Sequence, residues 1–163
     1  MKKRNKKYNP NKHRISTAAG FQAIQNAQIA AYNASPLEAE QVDELGAGYY
    51  LAFALVKGGR GTKDNIGTLA GAINISIVLS ESGVGLEYLP LLLDARDAIV
   101  RTGVRANKAG KIGFYGPDIH KVSEALNVHD MQVLVTSKTQ MIEAINEVRR
   151  RINAGHFDER LAA

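Results

Sequence analysis

The sequence contains no cysteine among its 163 residues. This absence excludes a disulfide-stabilised scaffold, an iron–sulfur cluster, a zinc site with cysteine ligands and a thiolate nucleophile. Long apolar runs are also lacking: the uncharged stretch of residues 65–80 contains Asn74 and Ser76 and is shorter than the roughly 20 apolar residues that cross a bilayer. We therefore expect a cytoplasmic protein that does not enter a membrane, and no signal peptide, because no apolar segment directly follows the basic opening.

Catalytic signature motifs are lacking as well. The sequence has no His-Glu-x-x-His, no Gly-x-Ser-x-Gly and no paired-carboxylate signature. His120 and Glu124 lie four residues apart, a spacing that suits either two metal ligands or a surface ion pair on one helix face. His129 lies in an apolar stripe beside Asp130, which is typical of a packed core histidine and leaves a catalytic base as the alternative. We expect no enzymatic activity, no cofactor and no metal site.

Basic residues are concentrated at the start of the chain. Seven of the 21 lysines and arginines lie within residues 1–14, which contain no acid, so residues 15–163 hold 14 basic and 16 acidic side chains. A segment this charged cannot bury enough apolar surface to order itself, so we expect a disordered arm over 1–14 and one helical domain over 15–163. The arm is a solubilising tail, a contact for an acidic protein surface, or a nucleic-acid contact in which Tyr8 stacks on a base. The residues expected to bind nucleic acid are Lys2, Lys3, Arg4, Lys6, Lys7, Tyr8, Lys12 and Arg14.

Apolar residues recur at helical spacing along the body, which predicts an all-α fold. Capping boxes at Ser35 and Ser137 and a capping threonine at Thr62 indicate three of the helix starts. Residues 131–136 alone also fit a strand. The predicted helices are Ile15–Tyr32, Pro36–Lys57, Lys63–Glu81, Leu86–Lys108, Pro117–Val135 and Lys138–Asn153. Because the turns between them are short, we expect a single-domain antiparallel bundle of five or six helices.

A ladder of charges follows the outer face of the predicted fourth helix. Asp97, Arg101 and Arg105 occur at steps of four, the spacing of neighbours on a helix surface. We interpret them as a solvated charge ladder.

The glycine-rich turn of residues 57–63, between the second and third predicted helices, resembles a phosphate loop, because glycine-flanked amides and cations lie at a helix start. It is not a Walker A motif, since that motif follows a strand and ends in Gly-Lys-Ser/Thr, whereas this turn follows a helix and ends in Gly-Thr-Lys. Two interpretations remain: an exposed interhelical turn, or an anion or nucleotide site formed by Arg60, Thr62 and Lys63.

Ten residues are aromatic, and they concentrate in two places. Tyr49 and Tyr50 precede Phe53 on the second predicted helix, and Phe114 and Tyr115 end the glycine-punctuated loop of residues 109–116. Such side chains are either packed in the core or exposed as anchors of a protein interface. Our candidate protein-binding residues are Tyr49, Tyr50, Phe114 and Tyr115.

Two stretches resemble parts of small uncharacterised helical proteins encoded by bacteriophages and prophages of proteobacteria. They are the opening Lys2–Pro10 and the segment Ala125–Val133 with its His-Asp-x-Gln sequence, followed by a capped helix. The resemblance implies a phage context, a helical fold and an accessory protein that binds host or phage machinery, as counter-defence proteins such as CRISPR inhibitors do. It implies no activity and no catalytic residue.

Taken with the missing catalytic motifs, these patterns favour a non-enzymatic protein that binds a protein target stoichiometrically. The first alternative is nucleic-acid binding through the basic arm, although a body with a net charge of −2 argues against a broad duplex-binding face. The second alternative is an anion or nucleotide binder, or an enzyme, that uses Arg60, Lys63 and the histidines. The oligomeric state stays open.

Overall fold

The computed structural model describes residues 17–155, which form six α-helices and no strand and thereby confirm the all-α prediction. The basic arm of residues 1–14 lies outside the described residues. The helices are α1 (Thr17–Ala34), α2 (Ala39–Lys57), α3 (Lys63–Glu81), α4 (Leu89–Ala109), α5 (Gly116–Val135) and α6 (Lys138–Asn153), with a 3-10 turn over Leu86–Tyr88 before α4.

The chain divides into two compact units, residues 1–34 and residues 35–163. In the first unit the described part is α1, on which Ile29 and Tyr32 are exposed. The second unit contains the other five helices and two apolar cores. No helix within residues 17–155 has the length and apolar character that spanning a membrane requires.

The centre of the second unit is α3, which packs against α2, α4, α5 and α6. Leu69, Ile73 and Ile77 of this helix are almost completely buried. Burying a side chain of this size contributes about 1.5–3 kcal/mol relative to leaving it in water. The helical period read from the sequence therefore places these three residues correctly in the core.

Two of the three predicted caps are present. The Oγ1 of Thr62 accepts from the amide of Asn65 at 3.2 Å, and the Oγ of Ser137 accepts from the amide of Gln140 at 3.2 Å. Each cap satisfies one of the amides that a helix start leaves without an intrahelical partner. Residues 131–135 continue α5 without a break, so the strand interpretation of 131–136 is wrong.

The third cap is not where the sequence places it. Helix α2 begins at Ala39 and not at Pro36. Its capping residue is Glu38 and not Ser35, and the amide of Glu38 donates to the side chain of Gln41 at 3.1 Å. The carbonyl of Ser35 accepts from the amide of Lys138 at 3.0 Å, so this segment bonds to the start of α6.

The loop after α4 folds back onto the end of α2. Gly110 ends α4 in the left-handed region at φ 65°, and Ile112 then forms an isolated bridge with Gly61. A Cβ at Gly61 would lie 2.8 Å from side-chain atoms of both Ile112 and Val56, a distance that only glycine avoids. This close approach delivers Phe114 and Tyr115 to the start of α5.

Candidate functional site

Tyr49 and Tyr50 both contact the same carboxylate on α5. The hydroxyl of Tyr49 donates to Oδ1 of Asp130, and the hydroxyl of Tyr50 lies 2.5 Å from Oδ2 of Asp130 and 3.3 Å from Oδ1 of Asn127. Burial, followed by the bond to Asp130, raises the pKa of Tyr50 to about 12 and raises the pKa of Tyr49 still further. Both phenols therefore stay protonated near neutral pH and fasten α2 to α5.

The two tyrosines differ in exposure. Tyr49 is only 5% exposed and packs its ring against Tyr50 and His129. The expectation of a surface anchor at Tyr49 is therefore corrected: its role is core packing, because its position on α2 points into the interface with α5. Tyr50 keeps more than a third of its surface in solvent.

Large apolar side chains are exposed on the last turns of α5, next to Tyr50. Leu134 and Val135 are 63% and 69% exposed, and Met131 is half exposed. Residues three and four apart on a helix are neighbours, so these three side chains share one face and continue from Asn127 and Asp130, which the hydroxyl of Tyr50 contacts. We call the surface formed by Tyr50, Met131, Leu134 and Val135 the α5 apolar face.

Sequence reasoning missed three of these four residues. Met131, Leu134 and Val135 were assigned only as the end of a helix or as a strand. The available signal was their position off the buried stripe of α5, which contains Val122, Leu126, His129 and Val133. Large apolar residues outside the buried stripe of a helix are exposed to water until a partner covers them, so they indicate a binding surface.

Phe114 and Tyr115 are neighbours in the chain with different surroundings. The ring of Phe114 lies 5.8 Å from that of Phe53 and packs against the larger core, so the expectation of an interface anchor at Phe114 is corrected to a packing role. Tyr115 is 65% exposed. It lies 19 residues before Leu134, about 28 Å along α5 at 1.5 Å per residue. The four aromatic candidates therefore do not form a single surface.

This contrast predicts different responses to truncation. Phe114→Ala should lower the free energy of unfolding by about 1–3 kcal/mol, because it removes an aromatic ring from a partly buried contact. Tyr115→Ala should change it by less than about 0.5 kcal/mol, as exposed substitutions do. Urea unfolding of both variants measures the difference, and equal losses would contradict the assignment.

His129 is buried on α5, and its Nδ1 has no hydrogen-bond partner among the described residues. Burial lowers the pKa of His129 to about 4, although the negative charge of Asp130 opposes the shift. The imidazole is therefore neutral at pH 7 and shielded from solvent. His120, by contrast, is exposed with its Nε2 3.2 Å from Oε1 of Glu124, which confirms the surface-pair interpretation.

The glycine-rich turn does not present its amides to an anion. The amides of Gly58, Gly59 and Arg60 donate to carbonyls at the end of α2, and the amide of Thr62 donates to the side chain of Asn65. The part of the anion hypothesis that relied on these amides is wrong. Binding by the side chains of Arg60 and Lys63 stays a prediction.

Beside this turn, Lys63 lines a small cavity of about 190 Å³. Ile66, Ala106 and Ile112 contribute apolar walls, and Asn107 contributes an amide. Of the three residues of the anion hypothesis, Lys63 lies at this cavity, whereas Arg60 and Thr62 are not among the residues that line it.

The charge ladder on α4 is solvated as expected, but its arginines find their partner on another helix. Arg101 Nη2 lies 2.7 Å from Oδ1 of Asp118, and Arg105 Nη1 lies 3.6 Å from Oδ2 of the same carboxylate. Asp118 belongs to the first turn of α5, and its side chain is only 5% exposed. The two arginines therefore pair across helices with a buried acid. Asp97 pairs instead with Arg96 at 3.4 Å.

Within residues 17–155 we find no group of three or more histidine, aspartate or glutamate side chains arranged to hold a metal ion. Between α5 and α3, hydrogen bonds join the buried side chains of Gln132, Ser76 and Ser80.

Comparison with known proteins gives no match to this chain, whether with family models, curated proteins or solved structures.

Proposed function

We propose that this is a non-enzymatic protein that binds a protein target stoichiometrically through the α5 apolar face. The observation that supports the proposal is the exposure of Met131, Leu134 and Val135 side by side at the end of one helix. Exposing three such side chains together has a solvation cost that a bound partner removes. Apolar helix faces of this kind commonly dock against a groove or helix of another protein.

The face is held rigidly, which favours binding. Tyr50 is fixed by its bonds to Asp130 and Asn127, and the opposite side of α5 is anchored by Gln132 and Val133 in the interior. A surface that is ordered before binding loses little conformational freedom when the partner arrives. The apolar atoms are therefore presented in the geometry that a partner would meet.

Acidic side chains are exposed on α2, the helix that carries Tyr50. Glu40, Asp43 and Glu44 are exposed on the first half of α2, and the bond from Lys138 to Ser35 holds the start of α2 beside the end of α5. Charge complementarity across an interface speeds association and selects among partners. We expect a partner whose apolar centre is flanked by lysine or arginine.

The resemblance of Lys2–Pro10 and Ala125–Val133 to phage-encoded proteins directs the search for this partner. It makes host defence proteins, CRISPR effectors among them, the first class of target to examine. Counter-defence is therefore the biological role that we propose alongside the binding activity.

Substitution at the centre of the face provides the test. Leu134→Glu should reduce capture of the partner from host lysate at least about tenfold, because it places a charge in the buried part of the interface. Leu86→Glu is the matched control, since Leu86 is 57% exposed on the 3-10 turn before α4. Both variants should melt like the unchanged protein. Equal capture by the two variants would contradict the proposal.

Nucleic-acid binding is a second candidate function, favoured by the charge of +7 on residues 1–14. Clustered lysines and arginines release counterions when they neutralise phosphates, so such binding weakens steeply as salt increases. Titration of a labelled single-stranded oligonucleotide with the protein across a salt series measures this salt dependence.

A further inference from the structure

We propose that Arg101, Arg105 and Tyr115 form a binding site for single-stranded nucleic acid. In this site the two guanidinium groups bind a backbone phosphate, and the exposed ring of Tyr115 stacks on an unpaired base. The site lies where α4 meets the start of α5, on described residues that neither the basic arm nor the α5 apolar face includes.

The charges at this site do not cancel. Two guanidinium groups share the single carboxylate of Asp118, which leaves a net charge of +1. The carboxylate is buried beneath them, whereas the side chains of Arg101 and Arg105 are 49% and 42% exposed. An anion arriving from solvent therefore meets the guanidinium groups and not the carboxylate.

Hydrogen-bond donors are left over on both arginines. Among the described residues, Arg101 donates through Nη2 to Asp118, and Arg105 donates through Nη2 to Oγ1 of Thr102 at 3.1 Å. A guanidinium group carries five N–H donors in a planar fork that matches the oxygens of a phosphate. The bonds to Asp118 and Thr102 hold both forks in place, so little freedom is lost when a phosphate binds.

Tyr115 supplies a flat ring, and the guanidinium group of Arg105 lies over one of its faces. The guanidinium carbon of Arg105 lies 5.9 Å from the centre of the Tyr115 ring, and the side chain of Tyr115 is mostly exposed. Its carbonyl accepts from the amides of Asp118 and Ile119, which fixes the backbone that carries the ring. An aromatic ring in this setting stacks on bases without regard to their sequence.

The combination favours a nucleic acid over an acidic protein segment. A carboxylate would satisfy the arginines but would leave the ring of Tyr115 unused, whereas a nucleotide presents a phosphate and a flat base together. Lys108, one turn beyond Arg105 on α4, extends the positive charge. The base must be unpaired, because the bases of a duplex are stacked inside it.

Fluorescence anisotropy with a labelled single-stranded oligothymidylate of about 12 nucleotides, titrated with full-length protein across a salt series, tests the site. Tyr115→Ala should weaken binding by about 5-fold to 100-fold at every salt concentration, because stacking does not release counterions. Tyr115→Phe should restore it. Arg101→Gln and Arg105→Gln should each weaken binding and reduce the slope of the salt dependence by about 0.7.

Matched controls separate this site from general attraction to the basic arm, which all variants retain. Tyr88→Ala removes another partly exposed tyrosine, and Arg149→Gln removes an exposed arginine from α6. Both should bind within about twofold of the unchanged protein. If Tyr115→Ala and the two arginine variants also bind within twofold, the arm alone carries the affinity and the site is refuted. Displacement of the oligonucleotide by polyglutamate at equal charge would equally overturn the proposal in favour of an acidic peptide.

Discussion

Gln132→Ala should lower the free energy of unfolding by about 3–5 kcal/mol, the largest loss that we expect from a single substitution. Gln132 is buried on α5, and its Nε2, which carries two N–H donors, lies within hydrogen-bond distance of three acceptors: the carbonyl of Val84 at 2.7 Å, Oγ of Ser80 at 2.9 Å and the carbonyl of Ser76 at 3.1 Å. Its Oε1 accepts from Oγ of Ser76 at 2.5 Å. One amide therefore joins α5, α3 and the turn that follows α3.

The size of the effect follows from what truncation leaves behind. Each buried polar atom that loses its partner costs about 1–3 kcal/mol, and the removed side chain also leaves a cavity. Ser76 and Ser80 are completely buried, so water cannot replace the lost bonds without opening the core. Single domains have only about 5–15 kcal/mol of net stability, so this change removes a large share of it.

Urea unfolding followed by circular dichroism measures the loss. Gln28→Ala is the control, since Gln28 is exposed on α1 and should change stability by less than about 0.5 kcal/mol. Gln132→Met keeps the approximate side-chain volume without the hydrogen bonds, so its loss of unfolding free energy should lie between those of Gln132→Ala and Gln28→Ala. A loss below about 1 kcal/mol in Gln132→Ala would show that the network contributes little.

Acidification should destabilise the fold through His129 well before the carboxylates titrate. The unfolded chain binds a proton on this imidazole below its ordinary pKa of 6.5, whereas the folded chain resists protonation until its pKa of about 4. Stability therefore falls as pH decreases from 6.5 towards 4, by about 1.4 kcal/mol per pH unit. Between pH 6.5 and pH 5 the expected loss is about 2 kcal/mol.

Unfolding curves at about pH 7 and pH 5 test this linkage. His129→Leu removes the titrating group and should show a much smaller difference between the two conditions. His120→Gln is the control, because His120 is exposed beside Glu124, and this variant should keep the full difference. An unchanged pH dependence in His129→Leu would place the acid sensitivity elsewhere.

Local sequence patterns predicted the helices well. Thr62 and Ser137 are predicted as caps because each precedes an apolar helical pattern, and in the structure the side chain of each accepts from the amide three positions later. The recurrence of apolar residues indicates which face of each helix is buried, because burial on one side of a helix imposes a period of 3.6 residues. Both features depend on residues less than a few turns apart, which a single sequence displays directly.

The candidate sites were predicted less well, because they depend on contacts between distant segments. In the sequence, Arg101 and Arg105 belong to a solvated charge ladder with Asp97, but the fold places Asp118 of α5 beneath them. Ser35 has the sequence of a helix cap, but its carbonyl accepts from the amide of Lys138, which lies more than 100 residues away in the chain. The period of α5 places Leu134 off the buried stripe, but only the folded chain shows how far its side chain is exposed.

The central claim is that the α5 apolar face binds one protein target per molecule. Isothermal titration calorimetry of the captured target against the unchanged protein, Leu134→Glu and Leu86→Glu tests it most directly. We expect one-to-one binding for the unchanged protein and Leu86→Glu, with affinity lowered at least about tenfold in Leu134→Glu. Full affinity in Leu134→Glu, or an effect on the target at far less than one molecule per target, would contradict the claim.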